Sequence, residues 1–292
     1  MKKFIYRFLG LLLFLFLSAW ILDKFYTYIY MNKSPRSKAS FLVQNKVKDV
    51  DYIFLGSSRV QNHINTKLVE DKTSKSATNL GVQGANLNDL ELFLNLIVQN
   101  DIRFNKIFLQ IDYNYNHTNF SKVSGVDVIP FINDVKIVDR HLKRYNENYI
   151  AYKYIPFYKY AVNDFRLGFR EMVMLISNRG SRIDYKNGFD PLAKNGKNLS
   201  YSLPNNLTQK NPSFTRIDSI AKINNINITY FMAPFCKNTT NSNFGSLLSK
   251  RIKDFKDYSR TIMKERYFKD CAHLNKKGAD VFTEILIDDL KL

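Results

Sequence analysis

The sequence predicts an α/β domain, a parallel sheet with helices on both faces, carried behind one N-terminal transmembrane helix. Three observations predict it. Short apolar runs bounded by polar or turn residues recur along the body and read as buried strands. Amphipathic helical patterns lie between those runs, and an alternation of strand and helix argues for parallel pairing. The first thirty-odd residues are apolar to a degree that the rest of the chain never approaches.

The N-terminal segment comes first. Lys2, Lys3 and Arg7 precede an uncharged run over 8–22, a basic leader followed by a hydrophobic segment. That run is about fifteen residues, short of a full span, but 4–22 reaches about nineteen if Arg7 snorkels to the interface. Trp20, Tyr26, Tyr28 and Tyr30 supply interfacial aromatics. A cleavable leader wants small residues at the first and third positions before the cut, whereas Ala19 is paired with Leu17. An uncleaved anchor over 1–31 is therefore favoured. Lys24, Lys33, Arg36 and Lys38 weaken the charge bias, yet a long following domain translocates largely regardless of charge. The expectation is a single-pass protein of the plasma or inner membrane with its body on the periplasmic or extracellular side. A buried core helix is excluded for a segment apolar on every face.

Residues 32–49, with Pro35, read as a polar linker, and 50–292 as the domain. Its first strand is 50–55, ending at Gly56. Residues 77–80 run into Gly81-Val82-Gln83-Gly84, followed by a helix over about 86–98 that Asn86 or Asn88 can cap. Strands follow at 106–112 and 227–233, with helical patterns at 213–223, 245–264 and 276–290. In such sheets ligands bind beyond the carboxyl ends of the strands, where Ser58, Gly84, Asn114 and Pro234 fall. The stretch 115–212 fits no repeat of this unit and reads as an insertion holding a helix over about 150–177. Its aromatic and basic series, Tyr149, Tyr152, Lys153, Tyr154, Phe157, Tyr158, Lys159 and Tyr160, can stack on sugars or lie on a membrane, but plain packing is favoured. Gly180, Gly188, Gly196 and Pro191 mark a loop-rich exit that can overhang a site.

The 292 residues carry 44 Lys plus Arg against 26 Asp plus Glu, a formal charge of +18 that attracts nucleic acid, anionic glycans or anionic lipid. The charge is dispersed and no nucleic-acid-binding motif occurs, so nucleic acid is set aside as a partner. Cys236 and Cys271 support neither a disulfide framework nor a zinc site, and two unpaired small hydrophobes are favoured over a bridge between them. No metal or cofactor is called for.

The chemistry is concentrated at two places. Asp270-Cys271-Ala272-His273 precedes the terminal helix, and Gly56-Ser57-Ser58-Arg59 follows the first strand. A serine hydroxyl becomes a useful nucleophile when an imidazole takes its proton, which pairs Ser58 with His273. The imidazole needs a carboxylate to fix its tautomer and stabilise its charged form, which pairs His273 with Asp270. The oxyanion of a tetrahedral intermediate needs preorganised donors, and the backbone N–H groups of Ser58 and Gly84 and the Asn114 amide are the candidates. Arg59, beside the nucleophile, can pair with a carboxylate or meet an anionic substrate, and a surface salt bridge is favoured. His63, His117 and His141 lack carboxylates at ligand spacing and read as surface or packing residues.

Four blocks in order, Gly56-Ser57-Ser58, Asn79-Leu80-Gly81-Val82-Gln83-Gly84, Asp112-Tyr113-Asn114 and Asp270-Cys271-Ala272-His273-Leu274-Asn275, resemble the SGNH (GDSL-type) hydrolase superfamily. The resemblance implies a flavodoxin-like parallel sheet, with Ser58 as nucleophile, Gly84 and Asn114 in the oxyanion hole, and Asp270 and His273 completing the triad. The third block lacks the family's leading glycine and trailing aspartate. The layout, with its membrane segment, is similar to the alginate O-acetyltransferase group and the teichoic acid D-alanyl transfer proteins. It implies transfer of a small acyl group, chiefly acetyl, to a surface polysaccharide through an acyl-enzyme, with a multi-span membrane acyltransferase as partner. Two alternatives stay open: a carbohydrate acetyl esterase of the same fold, and a catalytically inactive glycan-binding subunit.

Overall fold

The computed structural model describes residues 1–292 apart from 48, 122, 182, 194 and 198. The chain divides into two units, one of residues 1–44 and 124–181, the other of 45–123 and 182–292. The N-terminal apolar segment and the central part of the expected insertion thus share a unit, while 115–123 and 182–212 belong with the sheet.

In the first unit, helix α1 (Lys2–Asn32) is long and apolar enough to cross a membrane and is exposed on all sides through Leu22 apart from partial cover near Ser18 and Ala19. From Asp23 onward it buries one stripe, Asp23, Tyr26, Ile29 and Tyr30, against the insertion. Asp23 accepts from Lys159 Nζ at 2.9 Å and from the backbone N–H of Phe157 at 2.9 Å, and Thr27 Oγ1 lies 2.7 Å from the Tyr160 hydroxyl. The expected linker contains a helical turn, Lys38–Val43, whose N-cap Ser37 accepts from the Ser40 N–H. The single helix expected over 150–177 is instead four pieces, Tyr149–Tyr154, Tyr158–Ala161, Asp164–Leu167 and Phe169–Ile176. Pro156 ends the first, and Phe157 takes a left-handed φ of 64°, rare for a bulky side chain. Gly168 ends the third: a Cβ there would meet Asp164 Oδ1, the oxygen that accepts from the Phe169 N–H.

In the second unit, strands β1 (Tyr52–Leu55), β2 (Ala77–Asn79), β3 (Lys106–Gln110), β4 (Ile228–Met232) and β5 (Lys256–Asp257) form one parallel sheet in the order β2-β1-β3-β4-β5. This is the flavodoxin-like order, whose switch point lies between β1 and β3. Phe54 stands opposite Phe108, and their rings stack at 5.0 Å. With Phe231 they face a core completed by Val69, Phe282 and Leu286, from α3 (Thr66–Thr73) and the terminal helix, residues 276–290. Side chains one residue away point to the other face, where Tyr230 meets Phe214 of the helix Pro212–Ile223 at 5.4 Å. That helix packs with Leu87–Gln99, so both faces are covered. Full burial on both faces is what makes β1, β3 and β4 read as apolar runs.

The expected helix over 245–264 stops at Arg251, and β5 follows it. The signal misled because β5 is a charged two-residue edge strand, which blunts the sheet edge without any apolar run.

Asp23→Ala should leave Lys159, a side chain only 1 % exposed, without its counter-charge, at a cost of roughly 3–5 kcal/mol local to the first unit. Hydrogen exchange over 149–167 should then rise by orders of magnitude, while exchange over β1, β3 and β4 stays unchanged.

Candidate active site

The carboxyl edge of the sheet gathers the four sequence blocks. At the end of β1 the chain turns through Gly56 and Ser57 into a single helical turn, α2 (Ser58–Gln61). Gly56 is required there by space: a Cβ would come within 2.3 Å of Val60 Cγ2 and 2.8 Å of Gln110 Cβ. Ser57 caps the turn, accepting from the Arg59 N–H at 3.3 Å, and is itself tied to β3 because Gln110 Oε1 accepts from both its N–H and its hydroxyl at 2.9 Å. Ser58 follows as the first residue of the turn.

Ser58 Oγ lies 2.8 Å from His273 Nε2, and His273 Nδ1 lies 2.9 Å from Asp270 Oδ1. Asp270 also accepts from the backbone N–H groups of Ala272 and His273 at 2.9 and 3.0 Å. With Nδ1–H donating to the carboxylate, Nε2 is left as acceptor for the serine proton. Half-burial pushes the Asp270 carboxyl up, but the hydrogen bond and charge of His273 and the two backbone donors outweigh it, so the group is held below its usual value and stays ionised near neutrality. The three residues form one line of hydrogen bonds between segments 215 positions apart.

Arg59 does pair with a carboxylate, that of Asp112, but in the interior rather than at the surface. It is fully buried and available neither to a substrate nor for a surface salt bridge. Its Nη1 donates to the Ala272 carbonyl at 3.0 Å and its Nη2 to the carbonyls of Ala233 and Pro234 at 2.6 and 3.0 Å. Its Nε lies 2.9 Å from Asp112 Oδ2, an ion pair that is off the line of a hydrogen bond, and the guanidinium stacks 3.5 Å over the Phe235 ring. Burial pulls the guanidinium down and pushes the Asp112 carboxyl up, each opposed by the other's charge. Asp112 also accepts from Gln110 Nε2 at 2.6 Å, closing a network through Ser57, Gln110, Asp112 and Arg59.

Asn114 is fixed by its neighbour. Its Oδ1 accepts from the Asp112 N–H at 3.0 Å while its own N–H donates to Asp112 Oδ1 at 3.1 Å. That exchange settles the amide orientation and leaves Nδ2 buried with no acceptor among the described residues. An orphaned donor costs about 1–3 kcal/mol, a cost to be expected where an acceptor arrives with a ligand. Gly84 has φ of 73° in an exposed turn and is not joined to the triad by any described contact. Asn79 is a brace: its Nδ2 donates to the carbonyls of Val60 and Ile64, and its Oδ1 accepts from the Gly81 N–H.

Cys236 and Cys271 form a disulfide, against the expectation of two unpaired thiols. The spacing of 35 residues concealed a Cα separation of 4.7 Å, because β4 and the Asp270–His273 loop converge only in the fold. Closing such a loop restricts the unfolded chain by about 4 kcal/mol in the entropic account. The bridge and Arg59 join the same two segments.

His63, read from the sequence as a surface or packing residue, also serves the Asp270–His273 loop. It is buried, its Nε2 accepts from the Leu274 N–H at 3.0 Å, and its ring stands edge-on to that of His273 at 6.0 Å. Burial, with the charges of Arg59 and His273, holds it well below 6.5. The available signal was position, five residues beyond Ser58 and just past the α2 turn. Gln110 carried a signal too, a polar side chain inside the apolar strand β3. His117 is exposed against Tyr113, and His141 is buried against Tyr145.

No family model and no curated protein matches this chain. Among solved structures, one provisionally described as a platelet activating factor from Streptococcus pneumonia is similar at 14% identity, covering 98% of this chain and 99% of that one, with a TM-score of 0.38. A likeness this distant has no bearing on the site, and the fold is established by strand order and register.

Removing the Arg59 charge should be severe. Arg59→Met leaves Asp112 buried and unpaired and should cost about 3–5 kcal/mol, read as a fall in the midpoint of chemical denaturation.

A second expectation concerns pH. Unfolded His63 takes a proton below about 6.5 while the folded residue does not, so the unfolded state binds more protons and stability falls with acidity. The loss at one pH unit below that value should be about 1.4 kcal/mol. His63→Gln should remove that part of the acid slope in denaturation midpoints measured across this range.

Proposed function

We propose that this protein is a serine-dependent acyl-transfer enzyme working through an acyl-enzyme on Ser58. The observation that carries the reading is the unbroken line from Ser58 Oγ through His273 to Asp270, at 2.8 and 2.9 Å. The SGNH hydrolase resemblance of the four blocks agrees with it. Ser58 Oγ attacks the acyl carbonyl carbon as its proton passes to His273 Nε2, and Asp270 stabilises the imidazolium. The oxyanion is received by the Asn114 amide, whose Nδ2 is preorganised, with backbone N–H groups of Ser58 and Gly84 as further donors. His273 then gives the proton to the leaving oxygen, and the ester on Ser58 remains. An acceptor hydroxyl loses its proton to His273, attacks the same carbonyl carbon and departs acylated, restoring Ser58–OH.

For the substrate we propose a small acyl group, acetyl first, moved onto a surface polysaccharide. Half-buried Tyr113 and Tyr201, with ring centroids 5.8 Å apart beside the Asp112 and Arg59 pair, offer apolar faces of the kind that pack on sugar rings. The α1 helix is consistent with an uncleaved anchor, and a disulfide suits the oxidising side of a membrane. A multi-span membrane acyltransferase would deliver the donor. A second reading, an acetyl esterase, is favoured by the openness of the triad: the side chains of His273 and Asp270 are 24 % and 54 % exposed, which admits water as acceptor.

The test is full-length protein in detergent with para-nitrophenyl acetate, with and without a polysaccharide acceptor. Intact mass should gain one acetyl group, mapped to Ser58. Turnover should fall by on the order of a thousandfold or more in Ser58→Ala and by about a hundredfold to a thousandfold in Asn114→Ala. Acetylated polysaccharide supports transfer, whereas free acetate with an unmodified polymer supports the esterase. A parent protein that never acquires the acetyl mass would falsify both.

A further inference from the structure

The insertion was read from sequence as aromatic packing, and the structure divides it. Tyr149, Tyr152 and Tyr160 are buried, but Tyr154, Ile155, Val162, Phe165 and Phe169 are exposed, Phe165 to 93 %. These side chains flank the segment that clamps α1. The Phe157 N–H and Lys159 Nζ both reach Asp23, and the Phe157 and Tyr160 rings each lie 5.0 Å from Tyr26. Asp23 directly follows Leu22, the last residue of the exposed apolar run.

The axial rise of a helix is about 1.5 Å per residue, so contacts with Asp23 to Thr27 hold residues 157–160 within about 8 Å of Leu22 along α1. The polar interfacial layer outside the hydrocarbon is about 5–8 Å thick on each side. Tyr154, Ile155 and Val162 adjoin that segment in sequence, and Phe165 lines a cavity with Tyr30, eight residues and about 12 Å of helix past Leu22, so its exposed ring stands at the outer edge of that layer. An exposed phenylalanine pair costs little in an interface, where apolar faces are buried about 5–10 Å deep. The left-handed φ of Phe157 marks how tightly the clamp is specified. Exposed Lys24 and Arg170 suit the headgroup layer.

We propose that the exposed apolar side chains of the insertion, centred on Phe165 and Phe169, insert into the interface of the membrane that α1 spans, so that the first unit lies on the bilayer as a collar around its own anchor. This rests on reading α1 as an uncleaved transmembrane anchor. The occupant is the acyl and headgroup boundary of one leaflet.

The test uses the full-length protein reconstituted in vesicles of zwitterionic lipid with a minority of anionic lipid. An environment-sensitive fluorophore is attached to Phe165→Cys, to Phe169→Cys or, in the anchor, to Leu13→Cys. All three sites are exposed, so labelling disturbs no packing. A quencher on the lipid chain near the headgroup should reduce emission from the two insertion sites by about twofold or more, with a blue-shifted spectrum. The Leu13 site should respond more strongly to a quencher deep in the chain. Unquenched, red-shifted emission at Phe165 and Phe169 beside a quenched Leu13 site would overturn the collar and leave the anchor standing. An unquenched Leu13 site would overturn the anchor itself.

Discussion

The candidate site depends on one buried charge. Arg59 leaves the Ser58 turn and directs its guanidinium to three backbone carbonyls, one carboxylate and one aromatic face. Two of the carbonyls belong to the exit of β4 and the third to the residue before His273. A cation of this kind measures out the distance between strand β1 and the Asp270–His273 loop, because a planar donor fork meets all its acceptors only in one geometry. An apolar residue of equal volume would fill the space without fixing the register of the loop. Burying the ion is costly, and Asp112, with Gln110 behind it, supplies the counter-charge at the end of β3. Three neighbouring strand ends are thereby linked through one side chain.

Around that cation the same loop is held twice more. The Cys236–Cys271 bridge joins it covalently to the exit of β4, backed by the Cys236 N–H bonding to the Cys271 carbonyl at 2.9 Å. On its other side the neutral ring of His63 receives the Leu274 N–H. His273 thus projects from a loop fixed immediately before and immediately after it. Its own side chain then has few freedoms left to lose when Ser58 and Asp270 are engaged. Such rigidity suits the proposed role of general base, whose value depends on hydrogen-bond reach to the hydroxyl it deprotonates.

The sheet and the Asp270–His273 pair were legible in the sequence for a common reason: each is announced by local pattern, whereas Ser58, 215 residues from His273, was matched to them by chemistry alone. β1, β3 and β4 are buried on both faces and so are continuous apolar runs, and Asp270 and His273 are three residues apart. What failed to read were features made by distant residues meeting. The bridge between Cys236 and Cys271, the burial of Arg59 and the service of His63 to Leu274 each join positions 35 to more than 200 residues apart. Arg59 was misread because a charged residue beside a nucleophile looks solvent-facing, whereas one helical turn after a strand end points its side chain back into the layer. The short charged strand β5 was masked in the opposite way, since an edge position needs no apolar run.

The apolar helix and the insertion illustrate how a charge can decide a boundary. Asp23 would be poorly placed beside a hydrocarbon span on its own, because an unpaired carboxylate there loses water without compensation. Lys159 and the Phe157 N–H compensate it, and they come from a segment more than 130 residues away. The last turns of α1 are therefore interior to a folded unit while its first turns are bare. A helix required only for targeting has no need of a buried tertiary stripe at Tyr26, Ile29 and Tyr30. The stripe gives α1 a structural role as well, and the residues that cover it are the ones that carry the exposed apolar patch.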